Sequence, residues 1–139
     1  MKFKKVDSKY LVKVSKGERI VESIIKFCRD NGIKSGAFYG IGALSHVELM
    51  VYHADRKEYS TKTIVGDMEI LNITGNVAIL DGKHMVHAHI TLSDTNLQAI
   101  GGHLKEGMVS GTLEVVFTEF KAELNRKFDE DTGLNLLDL

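Results

Sequence analysis

The stretch Leu80-Asp-Gly-Lys-His-Met-Val-His-Ala-His-Ile-Thr-Leu92 decides the fold of this chain. Its Asp81-Gly82 pair is typical of a two-residue β-hairpin, because a type I′ turn needs positive φ at both central positions. In the strand that follows the turn, alternate residues are apolar, namely Val86, Ala88, Ile90 and Leu92. We predict that this row faces a core, so that Met85, His87, His89 and Thr91 share the opposite face.

Strand patterns continue on both sides of this hairpin, which indicates an extensive sheet. The preceding strand is predicted from Asp67 to Leu80, with a bulge or a bend at Gly75. Further strands are predicted at Tyr10 to Val14, Gly36 to Ile41, Leu44 to His53 and Val109 to Phe120. After the central hairpin, Ser93-Asp94 is suited to cap a short turn through Leu97 to Ile100.

The predicted strand from Leu44 to His53 alternates apolar and polar residues. Its apolar row, Val47, Leu49 and Val51, is expected to face the core. His46 and Glu48 then point away from it, where they could furnish a further metal ligand or form a solvated face. The preceding Gly40-Ile-Gly42 lacks the third glycine and following helix of a dinucleotide fingerprint, so we interpret it as a bend.

One helix is predicted between the strand from Tyr10 to Val14 and the strand from Gly36 to Ile41. Ser15-Lys-Gly-Glu18 matches a capping box, in which the Ser15 hydroxyl and the Glu18 carboxylate satisfy unpaired backbone N–H groups. An apolar stripe at helical spacing follows, formed by Ile20, Val21, Ile24, Ile25, Phe27 and Cys28. Asn31-Gly32 suits a left-handed C-terminal cap. The pattern therefore predicts an α/β (α+β) fold with one principal packed helix, and it makes Cys28 a core residue.

Composition bounds the class of protein. A chain of 139 residues with 43% apolar content is expected to form a single domain, residues 1–139. Eighteen basic and nineteen acidic residues give a net charge of −1, so DNA binding would need a local basic patch. We expect no secretory signal and no membrane-spanning run. A single cysteine points to the cytoplasm.

Three histidines form the candidate site. His87 and His89, two residues apart on one strand, project from the same face and can converge on one ion. His103 is the candidate third ligand, since Gly101-Gly102 would let the chain turn back toward that strand. Three histidines with an open position suit Zn²⁺, and imidazole also suits Fe, Ni or Cu. The alternative is a hydrogen-bond network at a subunit interface.

Other polar residues are weaker candidates. His53 and His84 lie near strand ends and turns, where we expect exposed side chains. Arg126 is expected to pair at the surface with Asp129 or Asp131, an interaction usually worth only ~0–1 kcal/mol. The segment Thr132-Gly-Leu-Asn-Leu-Leu-Asp-Leu139 is too apolar for a solvated tail. We expect it to pack on this subunit or on a neighbour.

Several segments together resemble one family, the plants-and-prokaryotes-conserved (PPC) domain. They are Gly40-Ile-Gly-Ala-Leu44, Gly66-Asp-Met-Glu-Ile-Leu71, His87-Ala-His-Ile-Thr-Leu-Ser-Asp94, Gly101-Gly-His-Leu104 and the segment from Thr132 to Leu139. The resemblance implies a mainly antiparallel sheet with a packed helix, and a homotrimer. It also implies a link to DNA, because plant members carry AT-hooks and prokaryotic members are described as predicted DNA-binding proteins. An AT-hook needs an Arg-Gly-Arg core, which this chain lacks.

The plant domain carries a Gly-Arg-Phe-Glu-Ile-Leu motif implicated in contacts with partner proteins. It is similar to the segment from Gly66 to Leu71, which makes Gly66, Glu69, Ile70 and Leu71 candidate partner-binding residues. Asp67 replaces the arginine and reverses the charge. The alternative is that Glu69, Ile70 and Leu71 simply begin a core strand.

The sequence thus leaves three hypotheses for function. The first is a stand-alone prokaryotic-type PPC protein with a DNA-binding or regulatory role and a three-histidine metal site. The second is a metal-dependent enzyme or small-molecule sensor that uses the same site and binds no DNA. The third assigns the histidines to subunit packing alone.

Overall fold

A computed structural model describes all residues, 1–139. It contains eight strands and one helix, whose bounds are β1 Lys2–Val6, β2 Lys9–Ser15, α1 Ile20–Asp30, β3 Gly36–His53, β4 Glu58–Leu80, β5 Lys83–Ser93, β6 Ala99–Glu119, β7 Arg126–Asp129 and β8 Leu134–Leu137. No helix has the length and hydropathy that a membrane span requires.

The main sheet is antiparallel and has six strands in the order β1-β2-β6-β3-β4-β5. An additional pairing between β5 and β6 closes β3, β4, β5 and β6 into a ring. Strands β7 and β8 form a separate antiparallel hairpin, which we call the C-terminal hairpin. The predicted α+β class with one principal helix on a mainly antiparallel sheet is confirmed.

The core lies between α1 and the sheet. Phe27, which is fully buried on the helix, packs its ring against Tyr10 of β2 and Phe117 of β6, each with ring centroids 5.3 Å away. Cys28 is also fully buried, and burial raises the pKa of its thiol to about 12. The prediction of a core cysteine is therefore confirmed, because the thiol stays protonated and unreactive at neutral pH.

The helix begins later than the sequence pattern predicts. Ser15 ends β2, and the Glu18 carboxylate accepts its backbone N–H at 2.7 Å within the connecting turn. The first turn of α1 is instead capped from β6, where the Glu106 carboxylate accepts the Val21 N–H at 2.8 Å. The predicted capping box is therefore wrong as a helix start, because a residue distant in sequence supplies the cap.

The predicted end of the helix is confirmed. Gly32 has a φ of 67°, in the left-handed region. The Ile33 N–H donates to the Cys28 carbonyl at 2.9 Å and the Gly32 N–H to the Arg29 carbonyl at 3.2 Å. These two bonds form a Schellman motif, which satisfies the last helical carbonyls.

Strand β3 joins two segments that the sequence pattern separates. Register shifts at Gly40/Gly42 and at Leu44/His46 bend it, as interpreted for the glycine pair. Val47 and Leu49 are buried as predicted, but Val51 is 59% exposed. The prediction for Val51 is wrong because the pairing of β3 with β6 ends at Met50, so that the end of β3 extends beyond the core.

The central hairpin is confirmed. Asp81 and Gly82 have φ values of 49° and 75°, and Leu80 pairs with Lys83. The bulge expected at Gly75 lies instead between Ile70 and Asn72. Gly75 pairs regularly and permits a close approach, since a Cβ there would lie 2.5 Å from the His87 carbonyl oxygen.

The connection after β5 is only partly as predicted. The Asp94 carboxylate accepts the N–H groups of Asn96 at 2.8 Å and Gln98 at 2.9 Å, which makes the expected turn. Strand β6 begins already at Ala99, however, so Gly101 and Gly102 lie within regular pairing. The expected turning path at these glycines is wrong, because β5 offers a pairing partner along this whole stretch.

Candidate metal centre

Strand register brings the three predicted histidines together. His87 and His89 lie on the face of β5 that points away from the core, whose apolar row of Ala88, Ile90 and Leu92 is buried. His103 lies on β6 directly opposite His89 in the antiparallel pairing. Directly opposed residues share a face, so all three imidazoles meet outside the core.

Gly101 maintains this register. A Cβ on Gly101 would lie 2.6 Å from the carbonyl oxygen of Ile90, so β5 and β6 could not approach as closely with any other residue. The glycine therefore supports the position of His103 through close strand approach. The sequence-based expectation also placed His103 near β5, but for a different reason.

The histidine cluster, His87, His89 and His103, has the dimensions of a metal site. The ring centroids are 5.1 to 5.4 Å apart, and one nitrogen of each ring lies within 4.8 Å of the others. Tetrahedral Zn²⁺ with bonds of about 2.1 Å places its ligand atoms about 3.4 Å apart. The three nitrogens would need to approach one another by only about 1 Å to reach that spacing, so the donor set is compatible with an ion.

Burial keeps two members of the cluster, His87 and His103, in the form that binds metals. It lowers the pKa of His87, with a smaller effect from the charge of Arg126. It also lowers the pKa of His103 to about 4, and the neighbouring histidines add to this shift. Neutral imidazole is the ligand form, so these side chains need lose no proton to bind an ion at neutral pH.

Arg126 lies beside this cluster and not at the surface. It is only 8% exposed and forms no ion pair with Asp129 or Asp131, so the predicted surface pair is wrong. Its guanidinium donates to the Asn135 carbonyl at 2.9 Å and to the Asn76 side-chain oxygen at 2.6 Å. The C-terminal hairpin folds back over the sheet and carries Arg126 with it.

The C-terminal hairpin also forms one side of a cavity next to the histidine cluster. The cavity has a volume of about 300 Å³. Its polar wall is formed by Asn76, His87, His103 and Arg126, and its apolar wall includes Met85, Leu134, Leu136 and Leu137. The expectation that the C-terminal segment packs on this subunit or a neighbour is met within this chain.

Sequence reasoning missed Asn76 and Arg126 as residues of this site. Asn76 pairs with His87 across the β4–β5 hairpin, so counting back from the predicted turn would have placed it here. No local pattern marks Arg126, because its position depends on how the hairpin docks.

The remaining histidine candidates lie elsewhere. His84 is half-buried and contacts the Ile33 carbonyl at 2.8 Å, and His53 is half-buried beside the Ser60 hydroxyl at 2.8 Å. The expectation that both are exposed is wrong, because each finds a partner in the fold. His46 and Glu48 line a different cavity, and Glu48 pairs with Lys105 at 2.8 Å, so neither joins the cluster.

The candidate partner-binding segment, Gly66 to Leu71, has two buried residues, Met68 and Ile70. Ile70 is 2% exposed, whereas Leu71 is 50% exposed and Gly66 and Glu69 are exposed. The alternative that Glu69, Ile70 and Leu71 begin a core strand is only partly right. Ile70 faces the core, but Glu69 and Leu71 are exposed because side chains alternate along the strand, and β4 begins earlier, at Glu58.

Similarity to known proteins identifies the family to which this chain belongs. The model of the Plants and Prokaryotes Conserved (PCC) domain matches residues 1–121. The chain belongs to this family, which is the PPC family that the sequence motifs resemble. No curated protein matches the chain.

Three solved structures show what the chain is similar to. A candidate DNA-binding protein of Bacteroides thetaiotaomicron is 34% identical, with a TM-score of 0.95 over 99% of this chain and 96% of that one. A PPC protein of Pyrococcus horikoshii is 30% identical, with a TM-score of 0.88 over 99% and 94%. A metal-containing protein of Archaeoglobus fulgidus is 32% identical, with a TM-score of 0.86 over 98% of each chain.

Proposed function

We propose that this protein binds a divalent transition metal through His87, His89 and His103. The observation that carries the proposal is the convergence of three imidazole nitrogens within 4.8 Å. The similar protein of Archaeoglobus fulgidus, described as metal-containing, supports it. Zinc is the ion we expect, since three neutral nitrogen ligands with a free fourth position are a common zinc arrangement.

The chain's own residues determine what such a centre does. A bound ion would act as a Lewis acid with one position open to water or to a ligand. His89 is the exposed member of the cluster, while His87 and His103 are half-buried beside the cavity. His87 also lines a second cavity, of about 460 Å³, together with His89. We expect the open position to face the first cavity, where Arg126 also lies, and this arrangement suits a small-molecule sensor or a metal-dependent enzyme.

Elemental analysis tests the metal proposal. Wild-type protein, purified without a metal-binding tag and dialysed against trace zinc, is expected to hold one ion per chain. The His87→Ala, His89→Ala double variant should hold less than a tenth of that amount. His53→Ala is the matched control, since His53 lies outside the cluster, and it should retain full occupancy. Equal metal content in wild type and double variant would refute the site.

A homotrimer is the second part of the proposal. The face of the sheet opposite α1 carries a row of exposed apolar side chains, bordered by Lys13 and Glu114. Directly paired residues place Leu11, Val116 and Tyr39 in one row across β2, β6 and β3, with Ile41 in the next row. Leu11, Tyr39 and Ile41 are each at least half exposed, at 50%, 54% and 61%. An uncovered apolar row of this kind is typical of a subunit interface.

The candidate partner-binding segment borders this face. Glu69 and Leu71 line a shallow depression together with Ile41. We therefore propose that the exposed residues of this segment, Gly66, Glu69 and Leu71, contribute to contacts between subunits, while Ile70 is buried and anchors the segment in the core. Light scattering should give a trimer for wild type and a monomer for Ile41→Glu, whereas Leu97→Glu, in the turn after β5, should stay trimeric. A monomeric wild type would exclude this arrangement.

DNA binding is a second candidate function, favoured by the similar proteins described in those terms and by one local feature. Residues 2–16 contain six lysines and a single acidic residue, Asp7. Strand pairing supports placing four of the lysines, at 2, 4, 9 and 13, on one face of the β1–β2 hairpin. If the protein has a DNA-binding or regulatory role in the cytoplasm, we expect these four lysines to contact the DNA phosphates.

Mobility shifts at low salt test this candidate. Changing Lys2, Lys4, Lys9 and Lys13 to Gln should abolish a shift that wild type shows. The matched control changes four exposed lysines elsewhere, Lys34, Lys62, Lys83 and Lys121, and removes the same charge. Because phosphate contacts dominate DNA affinity, absence of a wild-type shift even at low salt would remove the candidate.

A further inference from the structure

Arg126 is a buried cation without an anion. The residue is only 8% exposed, and no carboxylate lies within ion-pair distance of its guanidinium. Its two terminal nitrogens each donate to a neutral oxygen, and its Nε has no partner. A buried guanidinium is costly unless an opposite charge compensates it, so the missing anion needs an explanation.

The cavity beside Arg126 contains no acidic residue. Its walls are Tyr59, Asn76, Met85, His87, His103, Arg126 and residues 133–137, and none of these is Asp or Glu. Neutral histidines also bring no negative charge to an ion. A divalent metal in the cluster would add two positive charges next to the arginine, so a ligand that carries negative charge is favoured there.

We propose that this cavity binds a small carboxylate with a short apolar tail. The carboxylate lies between the guanidinium of Arg126 and the open position of the metal centre, with Asn76 beside it. The proposal deepens the proposed function and rests on it, because the histidine cluster must hold an ion for the carboxylate to bridge.

The apolar lining of the cavity favours a carboxylate ligand that carries an apolar tail. Beyond the polar wall, Met85, Leu134, Leu136 and Leu137 line the same space of about 300 Å³. A bare oxyanion would leave these side chains against water. A tail of a few methylenes buries them instead, and each methylene is expected to tighten binding about fourfold.

Titration calorimetry of zinc-loaded wild type with acetate, butyrate, hexanoate and inorganic phosphate tests the proposal. Affinity should rise about fourfold for each added methylene. Phosphate, which has no tail, should bind more weakly than butyrate. Equal affinities for acetate, butyrate and hexanoate, or tighter binding of phosphate, would overturn the assignment, and this comparison needs no variant.

Variants at Arg126 test its role. Arg126→Gln should weaken butyrate binding at least tenfold while the zinc content stays at one ion per chain, and Arg126→Lys should fall between Arg126→Gln and wild type. Arg56→Gln is the matched control, since Arg56 is an exposed arginine that pairs with Glu58. Unchanged butyrate affinity in Arg126→Gln would refute the role of the arginine.

Zinc content separates failure of the two proposals. A wild type that holds no zinc overturns the metal centre and the carboxylate site together. A wild type that holds one zinc per chain yet releases no heat with any carboxylate, and shows no thermal shift, overturns the carboxylate site alone.

Discussion

The two walls of the cavity differ in how they are built. The first, the sheet wall, is formed by β4, β5 and β6 and includes His87 and His103, and continuous backbone ladders join these strands. The second, the hairpin wall, consists of β7 and β8 with Arg126. It is held by a few contacts, including the Ile79 N–H to the Leu124 carbonyl at 2.8 Å and the Lys57 amine to the Glu130 carbonyl at 2.6 Å.

The difference in construction suggests that the two walls contribute differently to metal binding and to ligand binding. The sheet wall lies within residues 1–121 that the family model matches, whereas the hairpin wall follows them. A ladder of paired strands gives a rigid platform, and a docked hairpin opens at lower free energy. We therefore expect metal affinity to depend on the sheet wall and ligand binding to depend on both walls.

The largest expected effect comes from removing a ligand on the sheet wall. His103→Ala deletes one of three donors, and by comparison with zinc sites of about 10–16 kcal/mol for four ligands it should cost roughly 3–4 kcal/mol of metal binding free energy. Competition with a chromophoric zinc chelator measures this loss. His53→Ala serves again as control, and an affinity for His103→Ala equal to that of the control would contradict the assignment.

A change in the support of the sheet wall comes next. In Gly75→Ala the new Cβ would lie 2.5 Å from the His87 carbonyl oxygen and 2.8 Å from the Phe38 ring, both within the packed sheet. The free energy of unfolding should fall by about 3 kcal/mol, as overpacking predicts. Urea denaturation measures it. Gly111→Ala is the control, since its nearest neighbour, the Ala43 Cβ, lies 3.9 Å away, and equal stabilities would weaken the account.

A change in the hairpin wall should affect stability less and metal binding little. Arg126→Met removes the bonds to Asn76 and Asn135 but also relieves the uncompensated buried charge, so the free energy of unfolding should fall by only about 1 kcal/mol. Hydrogen exchange should quicken in β7 and β8, while zinc affinity stays within about threefold of wild type. Lys127→Met, on the exposed side of β7, is the control. A loss of zinc binding in Arg126→Met would contradict the separate roles of the two walls.

The smallest expected effect comes from Glu106, which lies on β6 away from the cavity. Glu106→Gln keeps an acceptor for the Val21 N–H but removes the negative charge at the N-terminus of α1. The loss should be about 0.5–1 kcal/mol, because a carboxylate there interacts with the helix dipole. Thermal unfolding measures it at low ionic strength, and added salt should reduce the difference between the variant and wild type.

Prediction from the sequence succeeded where the deciding interaction is local. Asp81-Gly82 specified its turn, and Gly32 ended the helix, because each backbone conformation depends on adjacent residues. It failed for the start of the helix, where Glu106 caps α1 from another strand. It failed again at Val51, because only the place where β6 leaves β3 determines that exposure.

The candidate site likewise has features that local sequence determines and features that depend on contacts distant in sequence. Strand parity in the sequence placed His87 and His89 on one non-core face, since side chains alternate along any strand. The pairing of β5 with β6 decided that His103 faces His89, and it did so without the expected glycine turn. Docking of the C-terminal hairpin decided that Arg126 is buried beside them, because contacts between segments distant in sequence leave no local pattern to read.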